Sequence, residues 1–472
     1  MTSKTEQFYI RRIAELEKQV AELIKINETL VKKNTELTDK VAKLSKNSSN
    51  SSKPPSSDIV KPPRNRKRKG SRNKGGQPKH PKHERKPFTT EEIDAFQTHT
   101  LEKCPDCGGK LKEIEGSGKV IQQVEIVKKP IHIEQHTGLR YWCEHCQKFH
   151  YAPMPAHIEK GQLIGPRLTA TIAYMKGACH CSFSTIRKFI RDVIGITVSR
   201  GQLNKLIQKA SAALEQAYNE LIEYLPHEAK LNIDETGHKE NKKRFWTWCF
   251  RADNYTLFKI ADSRGSKVLI DVLGEDFAGV IGCDYFSAYR KYMKDFDVLV
   301  QFCIAHLIRD LKYLAGLTDK ATADYGQRLL DAMRDMFSIF HKAEEMTTSD
   351  FAEAMEERRK AFLDIALIGV PDSRPAQNLA NRFRKHGDAY FRFITTPGLE
   401  PTNNLAEQAI RFVVIDRYIT QGTRGESGRT WSERIWTVLA TCASQGRNAF
   451  DFICQSIQAH FSDQPFPSLL GP

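Results

Sequence analysis

The stretch Lys230-Leu-Asn-Ile-Asp234-Glu-Thr-Gly237 carries most of the information about the fold. Its apolar run predicts a buried β-strand, and Asp234 stands where that run ends. Asp284 ends a second apolar run in the same way, and Glu407 lies further along in a helical pattern. Two aspartates at strand ends and a glutamate on a later helix are the arrangement that holds two divalent ions for phosphodiester chemistry. The sequence therefore predicts one catalytic site built from three distant acids.

The segments around these acids predict a mixed sheet flanked by helices. The expected strands are 230–234, 245–250, 255–260, 280–283 and 298–302. Helices are expected at 267–273, at 305–314 and through most of 316–392, which interrupts the fold before Glu407. Adjacent strands would put the two aspartates side by side at one sheet edge. Asn404 and Arg411 would share a helix face with Glu407 and support it.

The chemistry explains why cations are expected among these acids. Two carboxylates about 4 Å apart repel by about 4 kcal/mol at an effective dielectric of 20. Hard oxygen ligands favour Mg²⁺ or Mn²⁺ over zinc, and two such ions would serve phosphodiester displacement. Taken singly, an aspartate after an apolar run is more often a turn or cap residue. The acids that compete with the three are Glu235, Asp262, Asp310 and Glu400.

The charge of the chain is concentrated in one arm. The 472 residues carry a net charge of +15, and they are too many for one core, so several domains are expected. Segment 61–86 has twelve Lys or Arg and one acid, after a Ser/Pro-rich linker that begins at 47. Its densest run is Arg66-Lys67-Arg68-Lys69. The arm should be disordered when free and bind DNA phosphates, although a solubilising tail is the alternative.

The first 46 residues carry a heptad repeat. Leucine fills every d position, at 16, 23, 30, 37 and 44, and the a positions are Ile13, Val20, Asn27, Asn34 and Val41. β-Branched or Asn residues at a with Leu at d favour a parallel two-stranded coil, which predicts a homodimer. The alternative is a single amphipathic helix packed on the body.

Two Cys-x-x-Cys pairs predict a zinc-binding domain over 87–160. The pairs are Cys104 with Cys107 and Cys143 with Cys146. Two such pairs complete a tetrahedron, and a closed four-cysteine shell makes one structural zinc ion. The alternating segments 120–127 and 131–142 predict strands of a zinc-ribbon-like β module. Four unmetallated cysteines in a core are the alternative, and His145 and His150 are not needed as ligands.

Region 161–226 predicts a helix-turn-helix. Helices are expected over 167–177 and 182–194, and a third begins after the cap Ser199 and continues through 225. Side chains early in that third helix would meet base edges: Arg200, Gln202, Asn204 and Lys205. An ordinary helical hairpin is the alternative.

Composition also bounds the compartment and the partners. The 11 cysteines are odd in number and scattered, which favours a reducing compartment over a disulfide framework. No stretch resembles a signal peptide or is long and apolar enough to span a bilayer. A soluble intracellular protein with no membrane partner is expected.

The order of these motifs resembles the transposases of the insertion sequence 66 family. The matching segments include Ser51-Ser-Lys-Pro-Pro-Ser-Ser-Asp58, Gly75-Gly-Gln-Pro78, the two cysteine pairs, Asp234-Glu-Thr-Gly, Cys283-Asp-Tyr, Cys303-Ile-Ala-His306-Leu-Ile-Arg309 and Pro401-Thr-Asn-Asn-Leu-Ala-Glu407-Gln. The resemblance implies a ribonuclease H-like fold whose Asp-Asp-Glu triad is Asp234, Asp284 and Glu407. It also implies that His306 contacts the DNA or the active site, although a packed core histidine is as good an interpretation.

The resulting expectation is a multidomain α+β transposase in the bacterial cytoplasm, associated with the nucleoid. It would bind the terminal inverted repeats of its element and target DNA, hydrolyse phosphodiesters and transfer the 3′-hydroxyl strand. The catalytic domain would span 227–425 with a helical insertion at about 316–392, followed by a helical region over 426–472. Companion proteins of the same element are implied. The alternatives are an inactive or repurposed DNA-binding relative and a host nuclease.

Overall fold

The computed structural model describes residues 2–44, 87–101, 105–110, 120–124, 126–127 and 130–471. Helix α1 (Thr2–Leu44) forms the N-terminal part as predicted. Its leucine stripe is exposed, from 44% at Leu16 to 85% at Leu44. Exposed leucines at helical spacing on a helix this long leave an apolar face that none of the other described residues covers. The basic arm, with Arg66, Lys67, Arg68 and Lys69, lies outside the described residues.

The cysteine-bearing region contains one small hairpin. Strand β1 (Arg140–Cys143) pairs antiparallel with β2 (Lys148–Tyr151). The strands expected over 120–127 and before 140 are wrong for the described residues of those segments, which form no strand. Val120, Ile121 and Val124 are 69–83% exposed there. Alternating apolar residues favour a strand only where one face is buried, and these side chains have no such surface.

Five α-helices connect this region to the sheet. They are α2 (Ala156–Gly161), α3 (Pro166–Gly177), α4 (Phe183–Phe189) with a π-helical turn Ile190–Ile194, α5 (Arg200–Ala213) and α6 (Glu215–Tyr224) with a 3₁₀ turn Leu225–His227. The Oγ of Ser199 accepts the Gln202 N–H at 3.1 Å, which caps α5 as expected. The predicted third helix is interrupted at Leu214, so α5 and α6 are separate helices.

A five-stranded mixed sheet forms the centre of the body, as the sequence predicts. Its strands are β3 (Lys230–Glu240), β4 (Lys243–Arg251), β5 (Thr256–Ala261), β6 (Val280–Cys283) and β7 (Leu299–Phe302). The spatial order is β5-β4-β3-β6-β7. The first three strands form an antiparallel meander, whereas β6 and β7 run parallel to β3. Strand β3 is therefore the central strand of the sheet, and Asp234 lies near its middle.

Helices surround the sheet and fill the interval before Glu407. They are α7 (Lys267–Leu273), α8 (Ser287–Phe296), α9 (Ile304–Ala315), α10 (Lys320–Phe340), α11 (Thr348–Leu367), α12 (Arg374–His386), α13 (Asp388–Phe391), α14 (Asn404–Thr420), α15 (Glu426–Ser444) and α16 (Ala449–Ser462). Helices α10 to α13 occupy the interval predicted to be helical, together with the 3₁₀ turns Ala343–Glu345 and Arg392–Ile394. Helix α14 packs on β3 and β4, which brings the chain back to the central strand.

Helix α15 covers the edge of the sheet at β5. The N–H of Thr256 donates to Thr441 Oγ1 at 3.1 Å, and the N–H of Phe258 donates to Thr437 Oγ1 at 3.0 Å. A third N–H, that of Ile260, donates to a Glu433 carboxylate oxygen at 2.6 Å. Residues four apart on a helix share a face, so one helix face satisfies alternate N–H groups of an edge strand. This edge is closed to pairing with another strand.

The C-terminal helices also join the helical region that precedes the sheet. Helix α16 packs against α2, α3 and α5, and α15 contacts α5 and α6. Across the described part of the chain, no helix combines the length and the apolar character that crossing a bilayer requires.

Candidate active site

The register of the two parallel strands brings Asp234 and Asp284 together. Asn232 of β3 is paired with Gly282 of β6. Asp234 follows two residues later within β3, and Asp284 comes directly after β6 ends at Cys283. Because β3 and β6 run parallel, both aspartates lie toward the same edge of the sheet. Gly282 allows this close pairing, since a Cβ there would lie 2.6 Å from the Asn232 amide nitrogen.

Asn403 joins helix α14 to the central strand. Its side-chain nitrogen donates to the Ile233 carbonyl at 2.7 Å, and its side-chain oxygen accepts from Asn232 at 2.9 Å. Its backbone N–H donates to Cys303 Sγ at 3.2 Å. The side chain is 1% exposed. These contacts fix the start of α14 beside Asp234, and Glu407 lies in the first turn, where its charge acts on both aspartates.

The three acids act on one another electrostatically. Burial raises the pKa of Asp234 well above its ordinary value, and the negative charges of Glu235, Asp284 and Glu407 raise it further. The pKa of Asp284 is raised by burial and by Glu407, against the Phe286 N–H and the positive charge of Arg264. A raised pKa means that the folded chain disfavours the ionised carboxylates, first through burial and then through their mutual repulsion. A cation among them would relieve that repulsion.

One of the three acids, Glu407, belongs to a group of potential metal ligands. Among the described residues, two sets of three potential ligands have all their ligand atoms within 4.8 Å of one another, and the three acids do not form such a set. One of the two sets contains Cys303, His306 and Glu407. The oxygen atom of Glu407 that is buried there has no hydrogen-bond partner. Oxygen ligands with raised pKa values and an unpartnered buried oxygen suit hard divalent cations such as Mg²⁺.

Two side chains of α9 lie beside Glu407. His306 Nδ1 and Arg309 Nη2 are each 3.6 Å from a Glu407 carboxylate oxygen. Burial, reinforced by the charge of Arg309, lowers the pKa of His306 to about 4. The imidazole is therefore neutral at pH 7, and its buried Nδ1 has no hydrogen-bond partner. A neutral imidazole can donate a hydrogen bond to a bound group, or accept one from it, without adding charge.

A fourth acid, Glu235, occupies the opposite face of β3. Its buried carboxylate accepts from Arg264 Nε at 2.8 Å and from the Tyr289 hydroxyl at 2.5 Å. Burial and the charge of Asp284 raise its pKa to about 7 despite these two donors. Glu235 is committed to Arg264 and Tyr289, which distinguishes it from the three acids.

The remaining competing acids lie away from this cluster. Asp262 and Glu400 are exposed, and Asp310 accepts from Arg382 at 2.7 Å. The supporting residues predicted on α14 are exposed as well: Asn404 and Arg411 both face solvent. Asn403 and Arg309 occupy the positions beside the acids instead. The Cys303-x-x-His306-x-x-Arg309 spacing could have pointed to Arg309, since positions 306 and 309 share a helix face.

The hairpin β1–β2 forms the second set of potential metal ligands. Cys143, Cys146 and His150 have their ligand atoms within 4.8 Å of one another, and Cys146 Sγ lies 3.3 Å from His150 Nε2. Hydrogen bonds from Cys146 lower the pKa of Cys143, which favours its thiolate. Cys107 is exposed and outside this set, and Cys104 lies outside the described residues. The predicted four-cysteine shell does not include His150, and the strand pairing brings that residue to the cysteines.

The predicted base-reading residues lie at the start of α5. Arg200, Asn204 and Lys205 are exposed, whereas Gln202 is partly buried. Arg200 donates to Ser184 Oγ at 2.5 Å, which connects it to α4. The exposed side chains form a polar surface at the start of α5.

The chain is similar to one family of transposases and to two uncharacterized proteins. A family model described as "Transposase IS66 family" matches residues 161–430, which is more than half of the chain. A second model, described as a family of unknown function, matches residues 5–86. An uncharacterized protein of Sinorhizobium fredii, y4qI, is 23% identical over 81% of this chain and 75% of its own length. Another uncharacterized protein from the same organism, y4hP, is 21% identical over 72% of this chain and 67% of its own length.

Proposed function

The chain belongs to the IS66 family of transposases, and from that membership we propose that it cleaves and joins DNA at the ends of an insertion sequence. The substrates would be the terminal inverted repeats of the element and a target duplex. The reaction would be hydrolysis of a phosphodiester at each end, followed by attack of the freed 3′-hydroxyl on target DNA.

One observation carries this proposal. The parallel register of β3 and β6, with the Asn403 contacts, supports a single site made of Asp234, Asp284 and Glu407. The pKa of Asp234 responds to the charges of both other acids. The strand order β5-β4-β3-β6-β7, an antiparallel meander followed by two parallel strands, supports the ribonuclease H-like interpretation. In this interpretation α10 to α13 are the insertion that separates Glu407 from the aspartates.

The three carboxylates would hold two Mg²⁺ or Mn²⁺ ions. Bound there, the ions would activate the attacking oxygen and stabilise the leaving one. The chain's own residues would orient these ligands. Arg309 would hold the Glu407 carboxylate in place, Asn403 would fix its distance from Asp234, and neutral His306 would hydrogen-bond the DNA backbone or a bound water.

Other parts of the chain would recognise and pair the DNA. Arg200, Asn204 and Lys205 on α5 would contact the terminal repeat, and the arm with Arg66 to Lys69 would neutralise phosphates. One structural zinc ion would be held by Cys143 and Cys146, with the first cysteine pair or His150 completing the shell. Exposed leucines of α1 would pair two chains and so bring two element ends together. Companion proteins of the element would complete the assembly.

The test is cleavage of a duplex that carries the element end. Asp284→Asn keeps an oxygen that can accept the Phe286 N–H, so the variant should fold. We expect wild-type chain to cut in Mg²⁺ and Asp284→Asn to bind the end with unchanged affinity but not to cut. A variant that still cuts at the wild-type rate would refute the site. End binding without cleavage by the wild type would favour a DNA-binding protein instead.

A further inference from the structure

Two arginines and two aromatic rings stack beside Asp284. The Arg264 guanidinium carbon lies 3.8 Å from the centre of the Phe286 ring and 4.7 Å from that of Trp246. The Arg244 guanidinium carbon lies 4.7 Å from the same Trp246 ring. We call Arg244, Trp246, Arg264 and Phe286 the arginine–aromatic stack. Alternating cations and π-faces are the elements from which sequence-tolerant single-strand binding sites are made.

The inner part of the stack is rigid. Arg264 donates from Nε at 2.8 Å and from Nη2 at 2.6 Å to one oxygen of Glu235, whose side chain is 1% exposed. Tyr289 donates to the other Glu235 oxygen. Arg264 nevertheless keeps 33% of its side chain exposed. A buried acid thus presents one oriented guanidinium at the surface, which loses little further freedom when a ligand binds.

The outer part of the stack is positively charged. Arg244 is exposed, and among the described residues no carboxylate lies within ion-pair distance of it. Lys242 and Lys243 precede it at the exposed turn between β3 and β4. Asn241 and Lys242 both have positive φ, as a tight two-residue hairpin turn requires. Positive charge therefore continues from the tip of this hairpin along β4 to Trp246.

The stack is continuous with the three acids. The Phe286 N–H donates to the Asp284 carboxylate at 2.9 Å, so the ring under Arg264 belongs to the loop that holds Asp284. Arg264 lies close enough to Asp284 to oppose the rise in its pKa. An anionic strand that approaches three carboxylates is repelled, and fixed cations at the entrance offset that repulsion.

We propose that the arginine–aromatic stack binds a single-stranded stretch of DNA next to the phosphodiester held by the three acids. Arg264 contacts a phosphate oxygen, and an unpaired base stacks on Trp246. Arg244, the exposed member, leaves the ring to accommodate that base and pairs with the next phosphate. This proposal rests on the proposed function, because the bound strand would continue into the site of the three acids.

Local stacking is measured with an oligonucleotide of about 12 nucleotides that carries 2-aminopurine, whose fluorescence falls when it stacks. Excess unlabelled duplex occupies the arm at 61–86, so that the full-length chain can be used. Wild type should quench the probe. Trp246→Ala should abolish the quenching and weaken binding about 5- to 100-fold, whereas Trp246→Phe should keep most of both. Arg244→Ala should weaken binding about 3- to 10-fold. Its affinity should also depend less steeply on salt concentration than that of wild type.

The matched control is Lys294→Ala, which removes one exposed positive charge from α8. Its affinity and quenching should stay within about twofold of wild type. An unfolding curve shows whether Trp246→Ala folds. If it does not, Arg244→Ala tests the proposal instead, because removing an exposed side chain leaves the fold intact. Wild-type quenching in both variants, or an equal loss in Lys294→Ala, overturns the proposal.

Cleavage of the end-bearing duplex is measured in parallel on the same proteins. If wild type binds the probe through the stack but cuts no DNA, the proposed function fails and the stack remains a strand-binding surface. If wild type cuts and the Trp246 and Arg244 variants quench, bind and cut like it, the stack proposal fails and the proposed function stands.

Discussion

The side-chain amide of Asn403 donates a hydrogen bond to the carbonyl of Ile233, 2.7 Å away and one residue before Asp234. The same side chain accepts from Asn232, so both ends of one amide are used between α14 and β3. Residues 170 positions apart are thereby held in one arrangement. The position of Glu407 relative to Asp234 depends on this amide.

Replacing Asn403 should therefore affect activity more than stability. Asn403→Ala leaves the Ile233 carbonyl and the Asn232 amide without partners, which should lower the free energy of unfolding by about 2 kcal/mol. A shift of about 1 Å in Glu407 should slow cleavage about 100-fold. Urea unfolding and single-turnover cleavage measure the two effects. Gln408→Ala, an exposed amide on the same helix, is the control and should change neither; equal effects in both variants would contradict this role.

The stability of the metal-free chain should fall as pH rises. Glu235 has a pKa of about 7 in the folded chain, against an ordinary value of 4.5. A carboxyl with a raised folded pKa contributes stability below about pH 4.5 that is lost as pH rises through about 7. Asp234 and Asp284 act in the same direction, since their pKa values are also raised.

Glu235→Gln isolates this contribution, because the amide cannot ionise. Between pH 5 and pH 8, in a chelator, wild type should lose on the order of 1–3 kcal/mol of unfolding free energy relative to Glu235→Gln. Urea unfolding at several pH values measures the difference. A constant difference across that range would show that Glu235 does not titrate there.

The cover on the sheet edge predicts a stability effect far from the acids. Thr437→Val removes the hydroxyl that accepts the buried Phe258 N–H, with little change in shape. The free energy of unfolding should fall by about 1–3 kcal/mol, because that N–H is left without a partner. Thr348→Val, at an exposed helix start, should stay within about 0.5 kcal/mol of wild type. An equal loss of unfolding free energy in the two variants would contradict a stabilising role for the Thr437 hydroxyl at this edge.

Helix α1 predicts the assembly state. Leu23 lies on the exposed leucine stripe, and Leu23→Asp would bury a charge in a two-stranded coil. Sedimentation should then report the mass of one chain instead of two. Lys25→Asp, on the outer face of the same turn, should leave the dimer intact. A dimer that survives Leu23→Asp would place the pairing elsewhere in the chain.

The central sheet could be predicted because its strands follow simple rules. Apolar runs that end in Asp234 and Asp284 locate two strands, and short strands that are buried on both faces give a clear signal. The apolar run predicts only the first part of β3, since Thr236 to Glu240 include no large apolar side chain. Those residues are strand because β4 pairs with them and Arg417 of α14 donates to Thr236 Oγ1. Such partners are distant in sequence.

The site was harder to predict in its details. Helical spacing favoured Asn404, yet the amide beside the strand is Asn403, which precedes the helix. The difference arises from how α14 begins, which sequence periodicity locates only to within a residue or two. The same limit applies to His150, whose position beside Cys146 depends on the register of a hairpin.

The most direct measurement counts the metal ions that the three acids are proposed to hold. Mn²⁺ bound per chain can be determined by electron paramagnetic resonance, with a non-cleavable end duplex present. About two ions per chain are predicted for wild type, and fewer for Asp234→Asn, Asp284→Asn and Glu407→Gln, each with unchanged DNA binding. Wild type that binds no ions, or variants that bind as many as wild type, would contradict a shared metal site.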